Sequence, residues 1–241
     1  MRFRPMTLPE AARYVHLQAE DLARLAGRGD IPAHKVGGVW RFYRPELNDW
    51  LEQRMASLSG HELVKVERHL SQETSAAAEP LVSDLLSPYS VDLACTARSK
   101  PSVLRRLVEL AEASGLVLNP VALLEAVAER EQMCSTALGP GVAFPHPRRE
   151  MSEALTDSLV AFARTPSGIP FGAPDGSLTD LFFLICSCED HVHLRVLARL
   201  ARLARDEPFL EDLRQHRDVA DCLHALRSRE QALFGLDSGG R

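Results

Sequence analysis

The chain has 241 residues, 45% of them hydrophobic and 25% charged, with a formal net charge of −5. That composition describes a soluble globular protein with room for one large domain or two ordinary ones, and it argues against a generic nucleic-acid coat. No apolar run approaches the roughly 20 residues of a membrane helix, and Met1-Arg2-Phe3-Arg4-Pro5 lacks a signal-peptide stretch. The expected compartment is therefore the cytoplasm, with no membrane partner.

The elements begin with a small first module over 1–56. Thr7 or Leu8 opens a helix with Pro9 and Glu10 in its first turn, and Leu8, Ala11, Ala12 and Val15 recur at helical spacing. A second helix runs from about Gln18 to Gly27, with Leu22 and Leu25 inward. Two β-rich runs, Ile31–Val36 and Val39–Tyr43, flank Gly37-Gly38 and predict a tight hairpin. Pro45 restarts a helix that carries Leu47, Trp50 and Leu51 on one face, and Trp40 and Trp50 are expected as core anchors. This module holds nine Lys or Arg against seven Asp or Glu, a surplus of two that leaves −7 for the remainder. Phosphate contacts are permitted, not demanded.

Residues 57–79 are expected as a linker. Their small, polar stretch Ser71–Pro80 has no apolar period, and Leu63–Arg68 either extends the preceding helix or wanders. The second module, 80–232, alternates element types. Helices are predicted at about 80–87, 100–114, 120–133, 191–206 and 217–229, and strands near 91–94, 141–145, 156–164 and 180–187. This interleaving predicts an α/β (α+β) domain, a mixed sheet flanked by helices. Leu181–Cys186 reads as a central strand covered on both faces. Arg195, Arg199 and Arg202 fall on one helix face, read here as solvated rather than as a dock for an acidic partner. The tail 237–241 is expected to fray. The five cysteines form no C-x-x-C pair and read as buried, reduced thiols, with Cys186 and Cys188 on one strand face; no metal site and no cofactor is expected.

Chemistry concentrates in Arg130–Arg148. A helix ends near Met133, a loop with two glycines follows, and a short strand stops at Pro145-His146-Pro147. The prolines fix the backbone around His146 and donate no ladder hydrogen bonds. Neutral imidazole keeps one lone pair near pH 7 and is a competent nucleophile toward phosphorus. Ser135, Thr136, Arg130, Arg148 and the loop N–H groups are the available donors for a transferring phosphoryl group. Ser135 and Thr136 equally suit capping or turning the loop.

This stretch resembles the R-E-x-x-G-S-T-x-x-G-x-G-x-A-x-P-H segment of the fructose/mannitol/nitrogen-type enzyme IIA domains of the bacterial phosphoenolpyruvate-dependent phosphotransferase system. The resemblance runs over roughly 80–230 and includes Leu81–Ser87, Phe171-Gly172-Ala173-Pro174-Asp175-Gly176, Leu181–Ile185 and Glu189–Leu203. It implies that His146 takes a phosphoryl group from a phosphohistidine on a small HPr-like carrier. It implies that His193, ahead of His191, lies beside the phosphoacceptor, against the alternative of a solvent-facing helix residue, and that Arg130 is the family arginine. The chain departs from the pattern at Cys134 and Pro147, which replace glycines, at Ala137-Leu138, where Gly-Ile is common, and at Pro140.

The first module resembles the excisionase/MerR-like winged helix-turn-helix through Leu8–Ala12, Gly29–Val36, Trp40-Arg41-Phe42 and Glu46–Leu51. The resemblance implies that the second helix enters the major groove and the hairpin touches the backbone, with Gln18, Arg24, His34, Lys35 and Arg41 facing DNA. Glu20 and Asp21 depart from the hydroxyl and basic residues usual there. They would repel phosphates, or they serve the helix N-terminus and point away. The leading expectation is a cytoplasmic regulator that senses phosphorylation at His146 and contacts DNA, with a homodimer left open. The alternatives are a phosphocarrier that passes phosphate to a sugar-specific IIB subunit, and a non-DNA-binding adaptor for a regulated protein partner.

Overall fold

The structure, a computed structural model, describes residues 4–15, 17–57 and 80–234. The chain divides into two compact units, Met1–Glu73 and Thr74–Arg241. The linker expected at 57–79 lies, from residue 58 on, outside the described residues, as does the tail 237–241.

In the first unit, α1 (Leu8–Tyr14) starts where the N–H and Oγ1 of Thr7 donate to Glu10 Oε2 at 2.7 and 2.8 Å. Those bonds hold the Glu10 carboxyl below its ordinary range, the Thr7 N–H contributing most. Helix α2 (Ala19–Arg28) stops on Gly29 in the left-handed region, with the Asp30 N–H donating to Leu25 O at 3.0 Å. Strands β1 (His34–Val36) and β2 (Val39–Arg41) pair antiparallel. Gly37 and Gly38 both take positive φ, 58° and 81°, as a twist-matched two-residue turn requires. Helix α3 (Arg44–Ser57) follows. Met6 and Phe42 exchange backbone hydrogen bonds at 2.8 and 3.1 Å, which ties the start of the chain to the hairpin.

Phe42 is fully buried with Leu22 and Leu47 and is the aromatic anchor of this core. Trp40 and Trp50, expected in that role, are half-buried. Trp40 lies on a two-stranded ribbon with the Lys35 ammonium over its ring, and Trp50 directs its indole N–H to Asp30 O at 2.7 Å. Leu25 is likewise half-buried; Leu22 and Ala26 are the buried residues of α2.

The second unit is built on β3 (Val91–Asp92), β4 (Val142–Ala143), β5 (Leu159–Ile169) and β6 (Thr179–Cys186), in the order β3-β5-β6-β4. Strands β5 and β6 are antiparallel, with Phe162 opposite Phe183, while the edge strands β3 and β4 run parallel to β5 and β6 respectively. Strand β6 is near-continuously buried, as expected of a strand with both faces covered. One face packs on α4 (Lys100–Ala113) and α5 (Pro120–Met133) through Leu107, Leu123, Val127, Ala161 and Phe182. The Asn119 side chain caps α5 by accepting from the Ala122 N–H at 3.0 Å, with Pro120 at its first position. Helix α6 (Asp190–Leu203) packs against β6, and α7 (Glu207–Gln215) and α8 (Val219–Phe234) complete the unit.

Several sequence expectations are corrected. The helix expected at 80–87 is only a 3-10 turn, Ser83–Leu85, with the Val82 and Ser83 N–H groups at its start donating to Glu230 of α8, and Pro88 forbids continuation. Helix α7 was not expected. Pro208 reads as a stop but occupies a first turn, where it is tolerated, and Asp206 caps it by accepting from the Phe209 N–H. The arginine stripe of α6 is not solvated: Arg195 and Arg199 are buried. Arg199 donates to Pro80 O at 2.8 Å and lies 3.8 Å from Glu230, and Arg202 donates to Leu233 O. Among the thiols Cys95, Cys186 and Cys222 are buried, but Cys188 is half-buried and Cys134 exposed; all five are free. Burial pushes the Cys222 thiol up to about 11. Strand β6 ends at Cys186, so Cys188 shares no strand face with it.

Candidate functional site

The site is assembled where α5 hands the chain to β4. Cys134 leaves the helix in an extended conformation, and the following residues fold back on β4 as a tight hairpin. The Leu138 N–H donates to Val142 O at 2.9 Å and the Phe144 N–H to Thr136 O at 3.1 Å. At the far end of this loop Arg214 of α7 clamps Asp180 through two hydrogen bonds, 2.7 and 2.9 Å, and also reaches Pro140 O at 3.2 Å. Asp180 thereby raises the Arg214 guanidinium further into its charged range. Gly141, with φ of 85°, passes beneath this clamp. A Cβ there would stand 2.5 Å from Arg214 Nη2 and 2.7 Å from Asp180 Oδ1, so a side chain would have to displace the clamp as well as bear the left-handed φ.

Beyond β4 the strand pairing persists for two residues, since the Ile185 N–H donates to Pro145 O at 2.9 Å. His146 then turns its ring back on its own backbone, with Nδ1 2.6 Å from Phe144 O. A carbonyl only accepts, so Nδ1 is the protonated nitrogen and neutral His146 carries its lone pair on Nε2. The ring of His193, in the first turn of α6, lies 4.9 Å from that of His146, centroid to centroid. His191 turns to Glu189 instead, at 3.2 Å. Arg130 is buried in the last turn of α5 and donates to Cys134 O at 3.0 Å, which fixes the start of the loop. Arg148 is half-buried two residues past His146.

The two hydroxyls of the loop are committed to partners outside it. Ser135 donates to Phe171 O at 2.9 Å. Thr136 donates its hydroxyl to Glu131 Oε2 at 2.6 Å and its N–H to the same carboxylate at 3.2 Å. Glu131 is buried and receives Lys100 Nζ at 2.9 Å as counter-charge; Lys100 also sits over the Phe171 ring. Sequence reasoning named neither Glu131 nor Lys100 as site residues. A signal existed for Glu131: a carboxylate in the last turn of a helix opposes the helix dipole and needs a partner to be stable there.

The predicted DNA-facing residues are brought only partly together. Gln18 is the exposed N-cap of α2. Arg24, six residues further along, is exposed and paired with Asp21 on the same helix. In the hairpin, His34 lies opposite Arg41 and Lys35 opposite Trp40, so alternation puts His34 and Arg41 on one face and Lys35 on the other. His34 Nε2 is 2.8 Å from Glu46, and Lys35 Nζ lies over the Trp40 ring.

A helix-covered mixed sheet with two adjacent imidazoles beyond an edge strand, in one chain with a helix-turn-helix and hairpin, defines a two-domain protein of the phosphotransferase IIA class. The particular family follows: residues 84–228 match the phosphoenolpyruvate-dependent sugar phosphotransferase system, EIIA 2, and the chain belongs to that family. Residues 5–55 match a helix-turn-helix domain. The chain is 36% identical over 141 residues to the nitrogen regulatory protein of Bradyrhizobium diazoefficiens, covering 57% of this chain and 89% of that one. The crystal structure of the nitrogen regulatory protein IIA-Ntr from Neisseria meningitidis superposes with a TM-score of 0.56 at 28% identity, over 61% of this chain and 99% of that one. The Escherichia coli complex of enzyme IIA-mannitol with phosphorylated enzyme IIB-mannitol gives 0.51 at 26% identity, over 60% and 98%. Among the described residues no helix is long and apolar enough to cross a membrane.

Proposed function

We propose that this protein is a regulator in which His146 accepts a phosphoryl group from a phosphohistidine on an HPr-like carrier and the first unit binds DNA. The observation that carries the first half is the 2.6 Å contact from His146 Nδ1 to Phe144 O, which leaves the nucleophilic lone pair on Nε2. In the transfer, Nε2 forms a bond to phosphorus as the N–P bond of the carrier breaks, and the electron pair of that bond returns to the carrier's ring nitrogen. The Nδ1–H stays on Phe144 O throughout. His193 and the N-terminal turn of α6 that bears it suit a gathering negative charge. Arg130 shapes the loop through Cys134 O, and Ser135 and Thr136 serve as loop formers, their hydroxyls being committed to Phe171 and Glu131.

DNA binding is supported by the helix-turn-helix match and by the exposure of Gln18 and Arg24 on α2. The nitrogen regulatory relatives favour a regulatory output over sugar uptake. The E. coli complex with a IIB enzyme favours a second reading, onward transfer to a IIB-type partner. Incubation of the full chain with phosphoenolpyruvate, enzyme I and HPr, read by intact mass, should add one phosphoryl group that His146→Ala does not take. No His146-dependent gain overturns the acceptor role. Passage of the label to an added IIB protein favours the carrier reading. Gel shifts across a salt series should show binding that weakens steeply with salt; absence of a shift at low salt, with a stable protein partner, favours an adaptor.

A further inference from the structure

We infer that Glu131 is a positioning residue for the His146 imidazole, and that Lys100 is the cation that keeps its carboxylate in place. The inference rests on the reading of His146 as phosphoacceptor and adds to it a residue that never touches the phosphoryl group.

One continuous line of hydrogen bonds joins Lys100 to His146. Lys100 Nζ donates to Glu131 Oε1 at 2.9 Å. The Glu131 carboxylate accepts both donors of Thr136, its N–H and its hydroxyl. Thr136 is thereby held on its N–H side, and its carbonyl accepts from the Phe144 N–H at 3.1 Å. The same residue, Phe144, presents the carbonyl that receives His146 Nδ1 at 2.6 Å. The backbone of Phe144 is thus fixed at its N–H by Thr136 and spends its C=O on the imidazole. Whatever sets Thr136 sets the carbonyl that selects the His146 tautomer.

Burial makes this line stiff. Glu131, Thr136 and Phe144 are all buried, so water does not offer replacement partners, and a buried carboxylate stripped of its donors is strongly disfavoured. Lys100 is held in turn over the face of Phe171, whose carbonyl accepts the Ser135 hydroxyl. The ammonium therefore braces both walls of the loop. A carboxylate in the last turn of a helix gains nothing from the helix dipole; Glu131 instead collects the two donors of one loop residue that also pairs with the strand leading to His146.

The test uses the full chain and two readouts. The first is the nitrogen–proton correlation spectrum of the histidine rings in the unphosphorylated protein, with the His146 signals assigned by their loss in His146→Ala. The wild-type ring should show a single tautomer protonated at Nδ1. Glu131→Leu should give mixed tautomers, and Thr136→Val should do so from the other side of the contact. Glu131→Gln and Thr136→Ser, which keep an acceptor and a donor, should restore the wild-type pattern. The second readout is transfer from phosphorylated HPr. Glu131→Leu should lower kcat by about tenfold or more while KM stays within about twofold. Thr136→Val stands in if Glu131→Leu does not fold. An unchanged tautomer and an unchanged kcat in these variants overturn the inference. No uptake by the wild-type chain would defeat the phosphoacceptor reading, yet the tautomer comparison would still decide for or against Glu131, because it requires no transfer.

Discussion

The charged side chains around the two candidate sites are used in opposite ways. In the second unit, Arg130, Glu131, Arg199 and Glu230 are buried and mostly directed at backbone groups, at Cys134 O, Thr136 N, Pro80 O and the Val82 and Ser83 N–H. In the first unit, Arg24, His34 and Lys35 are exposed and paired locally with Asp21, Glu46 and the Trp40 ring. A buried charge must be satisfied in place, so it fixes geometry. An exposed pair contributes only about 0–1 kcal/mol and is screened by salt, so it is readily exchanged for a phosphate. The buried arrangement suits a site that holds one imidazole in one tautomer. The exposed arrangement suits a surface that meets a long polyanion.

The largest expected effect tests the preorganised side of that contrast. His146→Ala should abolish phosphoryl uptake from phosphorylated HPr, while His193→Ala should slow it without abolishing it, as judged by rapid-quench mass analysis; equal and complete loss from both would mean that the two rings act as one acceptor. Next come the cores. Both tryptophans of the chain, Trp40 and Trp50, lie in the first unit, so their fluorescence is a probe placed in that unit. Phe42→Ala should cost about 3–5 kcal/mol and move the urea midpoint seen by tryptophan. Phe182→Ala should cost about as much in far-ultraviolet dichroism and leave the fluorescence midpoint in place. Coincident shifts would break the treatment of the units as separate cores.

A smaller effect probes the exposed side. Lys35 and Arg41 lie on opposite faces of the hairpin. If one face meets the DNA backbone, one of Lys35→Ala and Arg41→Ala should reduce the slope of log binding constant against log salt by about 1, and the other should leave it. Equal losses would mean that the hairpin approaches edge-on. The smallest effect concerns pH. Burial raises the Glu230 carboxyl above its ordinary 4.5 in spite of its backbone N–H partners and Arg199. The folded state thus binds this proton more tightly than the unfolded chain does. The contribution of Glu230 to stability is greatest below pH 4.5 and falls as pH rises through the folded value. Glu230→Gln keeps an acceptor and removes the titration, so it should flatten that decline in urea midpoints measured from pH 4 upward.

Much of the fold was legible because it depends on neighbours in sequence. Gly37-Gly38 between two β-rich runs admits a tight hairpin and little else, and the helices expected at 100–114 and 120–133 stand as α4 and α5. The candidate site was legible at His146, whose two prolines and preceding glycine loop are local. Helix α7 was missed because Pro208 has the same spelling as a stop and as a first turn, and only Asp206 with its Phe209 contact tells them apart. The solvated reading of Arg199 failed because Pro80 and Glu230, its partners, are far away in sequence.

The sequence by itself determined that two modules exist, that the second is a helix-covered mixed sheet, and that an imidazole stands at its Pro-His-Pro corner. These follow from periodicity, from turn chemistry and from a segment matched to a family. Only the tertiary structure decided which nitrogen of His146 holds the proton, that His193 packs beside it rather than facing solvent, and that Glu131 and Lys100 brace the loop. The physical reason is that each of these depends on hydrogen bonds and packing formed through folding. The Nδ1 proton is set by a carbonyl whose own direction is fixed through Thr136, and the histidine pair is made by α6 packing on β6, 47 residues further along the chain.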